Sequence, residues 1–327
     1  MHNRKGTTMK KRIVALLLVS IIISIFAGCT VESDQKGTPV NEQNSTGDAT
    51  STDQNPEEAS SEHDPSEDVS GADSSSKDDV TVEEQVIFEQ NAIRITAKSL
   101  AYDSFWGPSL KLLIENDSDK NITVQIRDSV INGVMIDGSI SCEVAAGKKA
   151  NDEIVYMQGE LDTAGIEIIK DIQFKFHIFE TESWDTIIDS ETLVLSTTAN
   201  PAYVQTYDDS GFVALDKDGF KLVVKKLENE ESFWGADIYV YIENNSEKNA
   251  VIQVRDVSVN GFMIDPIFSC EVLSKMKAYD TITFLESDLE DNNIDAIDEL
   301  EMSFHIFSFE DMESILDSEI VKISFAE

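Results

Sequence analysis

The chain is poor in the side chains that do most enzymatic and metal chemistry. It has four histidines and three cysteines among 327 residues. No C-x-x-C pair and no Cys/His cluster is present, so a structural zinc site is not expected. Basic residues are also scarce: 25 Lys and Arg face 63 Asp and Glu, for a net charge of −38. That balance excludes nucleic acid as a partner, because nothing would neutralise phosphates. It also argues against lying flat on an anionic membrane. Six prolines and fifteen glycines are too few for a fibrous or collagen-like chain. Of the three cysteines, Cys142 and Cys270 lie in the related strings I-S-C-E-V and F-S-C-E-V. Strand alternation puts Ile140, Cys142 and Val144 on one inward face, so both thiols are expected buried and free.

The one long apolar run lies at the start. Lys10-Lys11-Arg12 precede Ile13 to Phe26, and Phe26-Ala27-Gly28-Cys29 follows. A positive segment, an apolar segment and small residues before a cysteine read as a lipoprotein signal over residues 1–28, with Cys29 as the lipid attachment site. A cysteine carrying more than one acyl chain would anchor the protein stably on the extracellular face of the membrane. Removing the leader would remove only basic charges and leave the remainder more acidic still. Residues 29–82 are rich in Ser, Thr, Asp, Glu and Gly and almost devoid of large apolar residues. Such a segment cannot offset its ordering entropy and is expected to be a disordered tether. About fifty residues of flexible coil reach about 40 Å, and charge repulsion extends them further.

What the rest contains is one unit written twice. Ser104-Phe105-Trp106-Gly107 returns as Ser232-Phe233-Trp234-Gly235, and Phe176-His177-Ile178-Phe179 as Phe304-His305-Ile306-Phe307. From Ser104 to Glu191 the copies align without a gap, and 38 of 88 positions are identical. The copies are assigned to residues 83–198 and 212–327, joined by a connector over 199–211, and each is long enough for its own core.

Both copies read as strands. Ser109–Glu115 and Ile122–Ile126 flank the turn cluster Asn116-Asp117-Ser118-Asp119 and are expected to form a hairpin. Asn132-Gly133 and Asn260-Gly261 predict tight turns. In the second copy the buried phase flips between Val254 and Val257, so a bulge is expected at Arg255-Asp256 and at its equivalent, Arg127-Asp128. Leu161–Ile169 reads as a short helical turn. Gly165 and its counterpart Asn293 both tolerate left-handed backbone. Seven or eight short strands per copy predict an all-β protein with two tandem immunoglobulin-like β-sandwiches, with a barrel as the alternative.

The strings I-E-N-D-S-D-K-N-I-T-V-Q, V-I-N-G-V-M-I, A-A-G-K-K-A, L-x-x-x-G-I-x-I-I and F-K-F-H-I-F, with their second copies, resemble Ig-like domains of surface lipoproteins from low-GC Gram-positive bacteria. The resemblance covers about two-thirds of the chain. It implies fold and location, and no catalytic or ligand residues. The second copy departs at Ser274-Lys275-Met276-Lys277, where a turn glycine is missing.

No catalytic residue and no cofactor are expected. His177 and His305 lack an adjacent nucleophile motif and read as strand histidines. Arg127-Asp128 and Arg255-Asp256 read as ion pairs pinning a bend. Asp216-Lys217-Asp218-Gly219 and the acids from Glu290 to Glu301 match no EF-hand loop and read as solvated. Phe105, Trp106, Phe233 and Trp234 are the candidate contacts for a cell-envelope protein or glycan. Against that stands the expectation that the indoles plug one end of each sandwich. Function is expected to be non-enzymatic binding or adhesion at the envelope. A structural spacer and a hydrolase with a hidden acidic site are the rivals.

Overall fold

The computed structural model describes residues 79–102, 104–232 and 235–325. The leader, Cys29 and nearly all of the tether lie outside the described residues, as do Phe233 and Trp234. Among the described residues no helix is long and apolar enough to cross a membrane.

The described chain is all-β apart from two helices of six residues each. The first copy contains β1 (Gln85–Gln90), β2 (Ile93–Ala101), β3 (Ser109–Asn116), β4 (Ile122–Ile131), β5 (Val134–Met135), β6 (Gly138–Ser139), β7 (Cys142–Val144), β8 (Lys148–Tyr156), α1 (Gln158–Thr163), β9 (Asp171–Glu180), β10 (Thr186–Asp189) and β11 (Leu193–Ser196). The second repeats the order with β12 (Phe212–Lys217), β13 (Phe220–Ser232), β14 (Gly235–Asn244), β15 (Ala250–Val259), β16 (Phe262–Met263), β17 (Cys270–Val272), β18 (Lys277–Leu285), α2 (Glu286–Asp291), β19 (Glu299–Ser308), β20 (Ser314–Asp317) and β21 (Val321–Ser324).

Each copy layers two antiparallel sheets. In the first, β1-β2-β3-β8-β6 faces the sheet built on β10-β9-β4, with β7 and β11 attached. In the second, β12-β13-β14-β18, which continues the β10-β9-β4 sheet of the first through β5, faces β16-β15-β19-β20, with β17 and β21 attached. Each copy buries its own cluster, one running from Val82 to Leu195 and the other from Leu215 to Ile323. Strict alternation drives this: Ile172, Phe174, Phe176 and Ile178 of β9 point inward and are essentially inaccessible to solvent. A buried side chain of that size contributes about 1.5–3 kcal/mol.

The expected hairpin between β3 and β4 does not form. β3 pairs with β2 and β8, whereas β4 pairs with β9 in the opposite sheet. The turn cluster is therefore an arch that crosses the sandwich. Fully buried Asn116 holds it. Its Nδ2 donates to the carbonyls of Lys120 (2.8 Å) and Val144 (2.9 Å), and its Oδ1 accepts from the Ser118 amide and hydroxyl. Asn244 repeats all four bonds with Lys248, Val272 and Ser246.

The expected turns and bulges match, whereas the turn that lost its glycine and the end of the tether depart from expectation. Asn132-Gly133 and Asn260-Gly261 are tight turns with both residues at positive φ. The bulges fall after Arg127 and Arg255, where Asp128 and Asp256 adopt positive φ. Gly165 and Asn293 are both left-handed. The lost glycine turn keeps its shape, because Lys275 takes the left-handed conformation of Gly147. Val80 and Val82, placed in the tether by composition, are buried, and Thr81 exchanges hydrogen bonds with Thr198 and Leu100.

The copies meet at one edge. The Lys277 amide donates to the Gly133 carbonyl at 3.0 Å, and β18 pairs in parallel with β5. Tyr207 of the connector donates its hydroxyl to the Asn132 carbonyl at 2.7 Å, and the Lys277 ammonium sits 4.4 Å from the centre of its ring. Met135 of the first copy packs against the core of the second.

Candidate functional site

The Ser-Phe-Trp-Gly string lies in the loop from β2 to β3. Ser104 Oγ accepts from the Trp106 amide at 3.2 Å, and the Trp106 carbonyl accepts from the Gln158 amide at 2.8 Å. Gly107 makes the close approach possible. Its φ is +142°, and a Cβ there would lie 2.2 Å from the Tyr156 carbonyl oxygen. Gly235 faces the same obstruction, 2.2 Å from the Phe284 oxygen. The loop backbone is thus pressed onto the end of β8 and the start of α1, and the aromatic side chains turn outward.

Phe105 is 91% exposed and Trp106 61% exposed. Their rings meet edge to face, with centroids 5.2 Å apart. The expectation of indoles plugging the sandwich is therefore overturned for the first copy: the loop backbone itself packs onto the end of β8, and the rings project into solvent. Tyr102 and Pro108 of the same loop line a groove of about 440 Å³, whose far wall includes Leu161, Ile166 and Ile168.

The bulge does not pair Arg127 with Asp128. Arg127 reaches Asp189 at 3.9 Å, and Asp128 pairs with Lys175 at 2.6 Å. His177 also binds Asp189, Nδ1 to Oδ1 at 2.6 Å, and His305 binds Asp317 in the same way. His305 holds the Asp317 carboxyl below its ordinary range. The nearby Ser190 hydroxyl accepts from the Phe176 amide and donates to the Glu191 carbonyl, so its bonds serve the strand. An acid partner for each histidine was not expected, since Asp189 lies twelve residues along the chain on a neighbouring strand.

Cys142 and Cys270 are buried and free, as expected. Burial pushes the Cys142 thiol up to about 12, assisted by Asp152, and raises that of Cys270 as well. Neither is a nucleophile at neutral pH. Asp218-Gly219 forms the tight turn from β12 to β13. Among the described residues no three His, Cys, Asp or Glu side chains are arranged to hold a metal ion.

Two features escaped the reading of the residues. Trp184, in the turn after β9, is 73% exposed at a φ of +64° and stacks on Phe179 at 5.3 Å. A cleft of about 560 Å³ opens between the copies, lined by Asp137 and Glu160 on one side and Glu271 and Asp280 on the other. Burial raises the carboxyls of Glu160, Glu271 and Asp280.

The chain matches no protein-family model, and no curated protein matches it.

Proposed function

We propose that this is a non-enzymatic, lipid-anchored protein of the extracellular membrane face, carrying two Ig-like sandwiches that bind an envelope protein or glycan. The observation that carries the binding reading is the Phe105-Trp106 pair: two large rings held in water by a backbone that is itself pinned. The loop backbone beneath the rings is already ordered by the fold, so contact with a sugar face or an apolar protein surface costs chiefly the rotamer entropy of the rings. A passive spacer has no use for such a pair. The repetition of the string at Phe233-Trp234 adds a second contact and, with it, avidity. The acidic tether and the Cys29 anchor would hold both copies away from the membrane.

The test is a pull-down of the full chain against purified cell-wall glycan and, separately, membrane proteins. Replacing Phe105, Trp106, Phe233 and Trp234 together by Ala is expected to abolish retention on one of these fractions while leaving the circular dichroism spectrum unchanged. Equal retention of the variant and the parent would overturn the reading.

A further inference from the structure

The contact between the two copies uses residues that both copies possess. One half consists of the Asn-Gly turn and Met135-Ile136-Asp137 of the first copy. The other half is Lys277 of the second, with Ser269-Cys270-Glu271 lining the cleft that adjoins the contact. These strings recur in the copy where they are not used, Met263-Ile264-Asp265 after Asn260-Gly261 and Ser141-Cys142-Glu143 with Lys149, with Phe262 in place of Val134. Lys149 stands opposite Glu115 in the register in which Lys277 stands opposite Glu243.

Accessibility shows which halves are unfilled. Val134 is buried and Met135 half-buried at the internal contact, whereas their counterparts Phe262 and Met263 are 48% and 68% exposed. Ile267 lies close by in sequence and is also exposed. On the other half, Lys277 and Tyr279 are half-buried while Lys149 and Asn151 are exposed. On that side β8 is paired only at its far end, where Tyr156 and Val155 meet β6. Its stretch from Lys149 is an open edge of the kind that β18 offers to β5.

We propose that the free face of the second copy, at Phe262 and Met263, docks on the free β8 edge of the first copy of another molecule of this chain. The occupant is thus a second copy of the protein, joined head to tail. Such an interface is heterologous, so each added molecule brings a further free face and association continues past the dimer, ending in a ring where the rotation closes and in an open series where it does not. The Gly261 carbonyl would accept from the Lys149 amide as Gly133 accepts from Lys277. Tyr279 is replaced by Asn151 and Tyr239 by Lys111, so the intermolecular contact lacks the tyrosines of the internal one and is weaker. The covalent link supplies the internal contact with an effective concentration in the millimolar range, and crowding of anchored molecules would do the same for the external one. Mutual repulsion of strongly acidic chains opposes association, and salt relieves it.

Sedimentation of the full chain in detergent at raised salt tests this. The average mass is expected to climb with concentration past the dimer. Met263→Asp on one face, and the pair Lys149→Glu with Asn151→Glu on the other, should each weaken association at least tenfold. All three positions are exposed, but Lys149 is ion-paired with Glu115 opposite it, so Asn151→Glu alone replaces the pair, and Phe262→Asp replaces Met263→Asp, if either chain does not fold. Mixing the two kinds of variant leaves one intact interface between them and should restore a dimer that grows no further. A mass that stays monomeric at every concentration would overturn the proposal. So would a closed dimer insensitive to either variant, or a mixture that fails to pair.

Discussion

Replacing Gly107 by Ala should harm the fold more than removing the whole indole beside it. The backbone there has a φ of +142°, and the new Cβ would sit 2.2 Å from the Tyr156 oxygen and 2.7 Å from the Gln158 nitrogen. Both obstacles are backbone, so no side-chain rotation relieves the overlap. Left-handed strain costs about 1–2 kcal/mol, and overpacking about 1–3 kcal/mol. The loop must lift, breaking the bond between the Trp106 carbonyl and the Gln158 amide. The expected loss is about 3 kcal/mol, from the sum of strain and overlap. Trp106→Ala removes a ring that is 61% exposed, so it should cost about 1 kcal/mol, against the 3–5 kcal/mol of a buried tryptophan. Phe105→Ala, at 91% exposure, should be close to neutral. Urea melts followed by circular dichroism compare the three directly. A neutral Gly107→Ala would show that the loop is not pinned. A loss of 3 kcal/mol or more at Trp106 would show that the ring is packed, and the binding surface would fall with it.

Asn116→Ala and Asn244→Ala should each destabilise by about 3 kcal/mol, since each removes four bonds from a buried arch at about 1 kcal/mol apiece with partial relaxation; two unchanged melting midpoints would refute the arch. Cys142 and Cys270 should resist thiol reagents at pH 8 and react only on unfolding; rapid modification of the native chain would contradict their burial. Burial first, with Asp137 adding to it, raises the Asp280 carboxyl, so its contribution to stability is present below the ordinary carboxylate range and lost as pH rises through the raised value. Asp280→Asn should therefore gain in melting temperature over the parent at pH 7 and lose that advantage near pH 4; an equal difference at both values would refute the charge argument. Cys29→Ala should abolish labelling by a fatty-acid probe, and undiminished labelling would remove the anchor.

By itself the sequence determined the features that rest on local stereochemistry and on internal repetition. Asn-Gly can occupy two successive left-handed positions, so Asn132-Gly133 was legible as a turn. A change of buried phase in a strand requires an extra residue, so the bulge after Arg255 was legible from Val254 and Val257. Inward alternation placed Cys142 and Cys270 in the cores. The arch at Asn116 was not legible as such, because the same polar cluster serves a hairpin or an arch. Which of the two forms depends on whether β3 finds β4 or β8, and on whether the amide of Asn116 can reach the Val144 carbonyl, 28 residues away. Phe105 and Trp106 posed the same difficulty. Composition assigns large rings to the interior, yet Gly107 lets the loop backbone press onto the end of β8 while the rings project outward. The pairing of His177 with Asp189, and of the Met135 face with β18, likewise joins residues that are remote in the chain. Only the tertiary structure decides such contacts, since they depend on which strands become neighbours and which surfaces remain open to water.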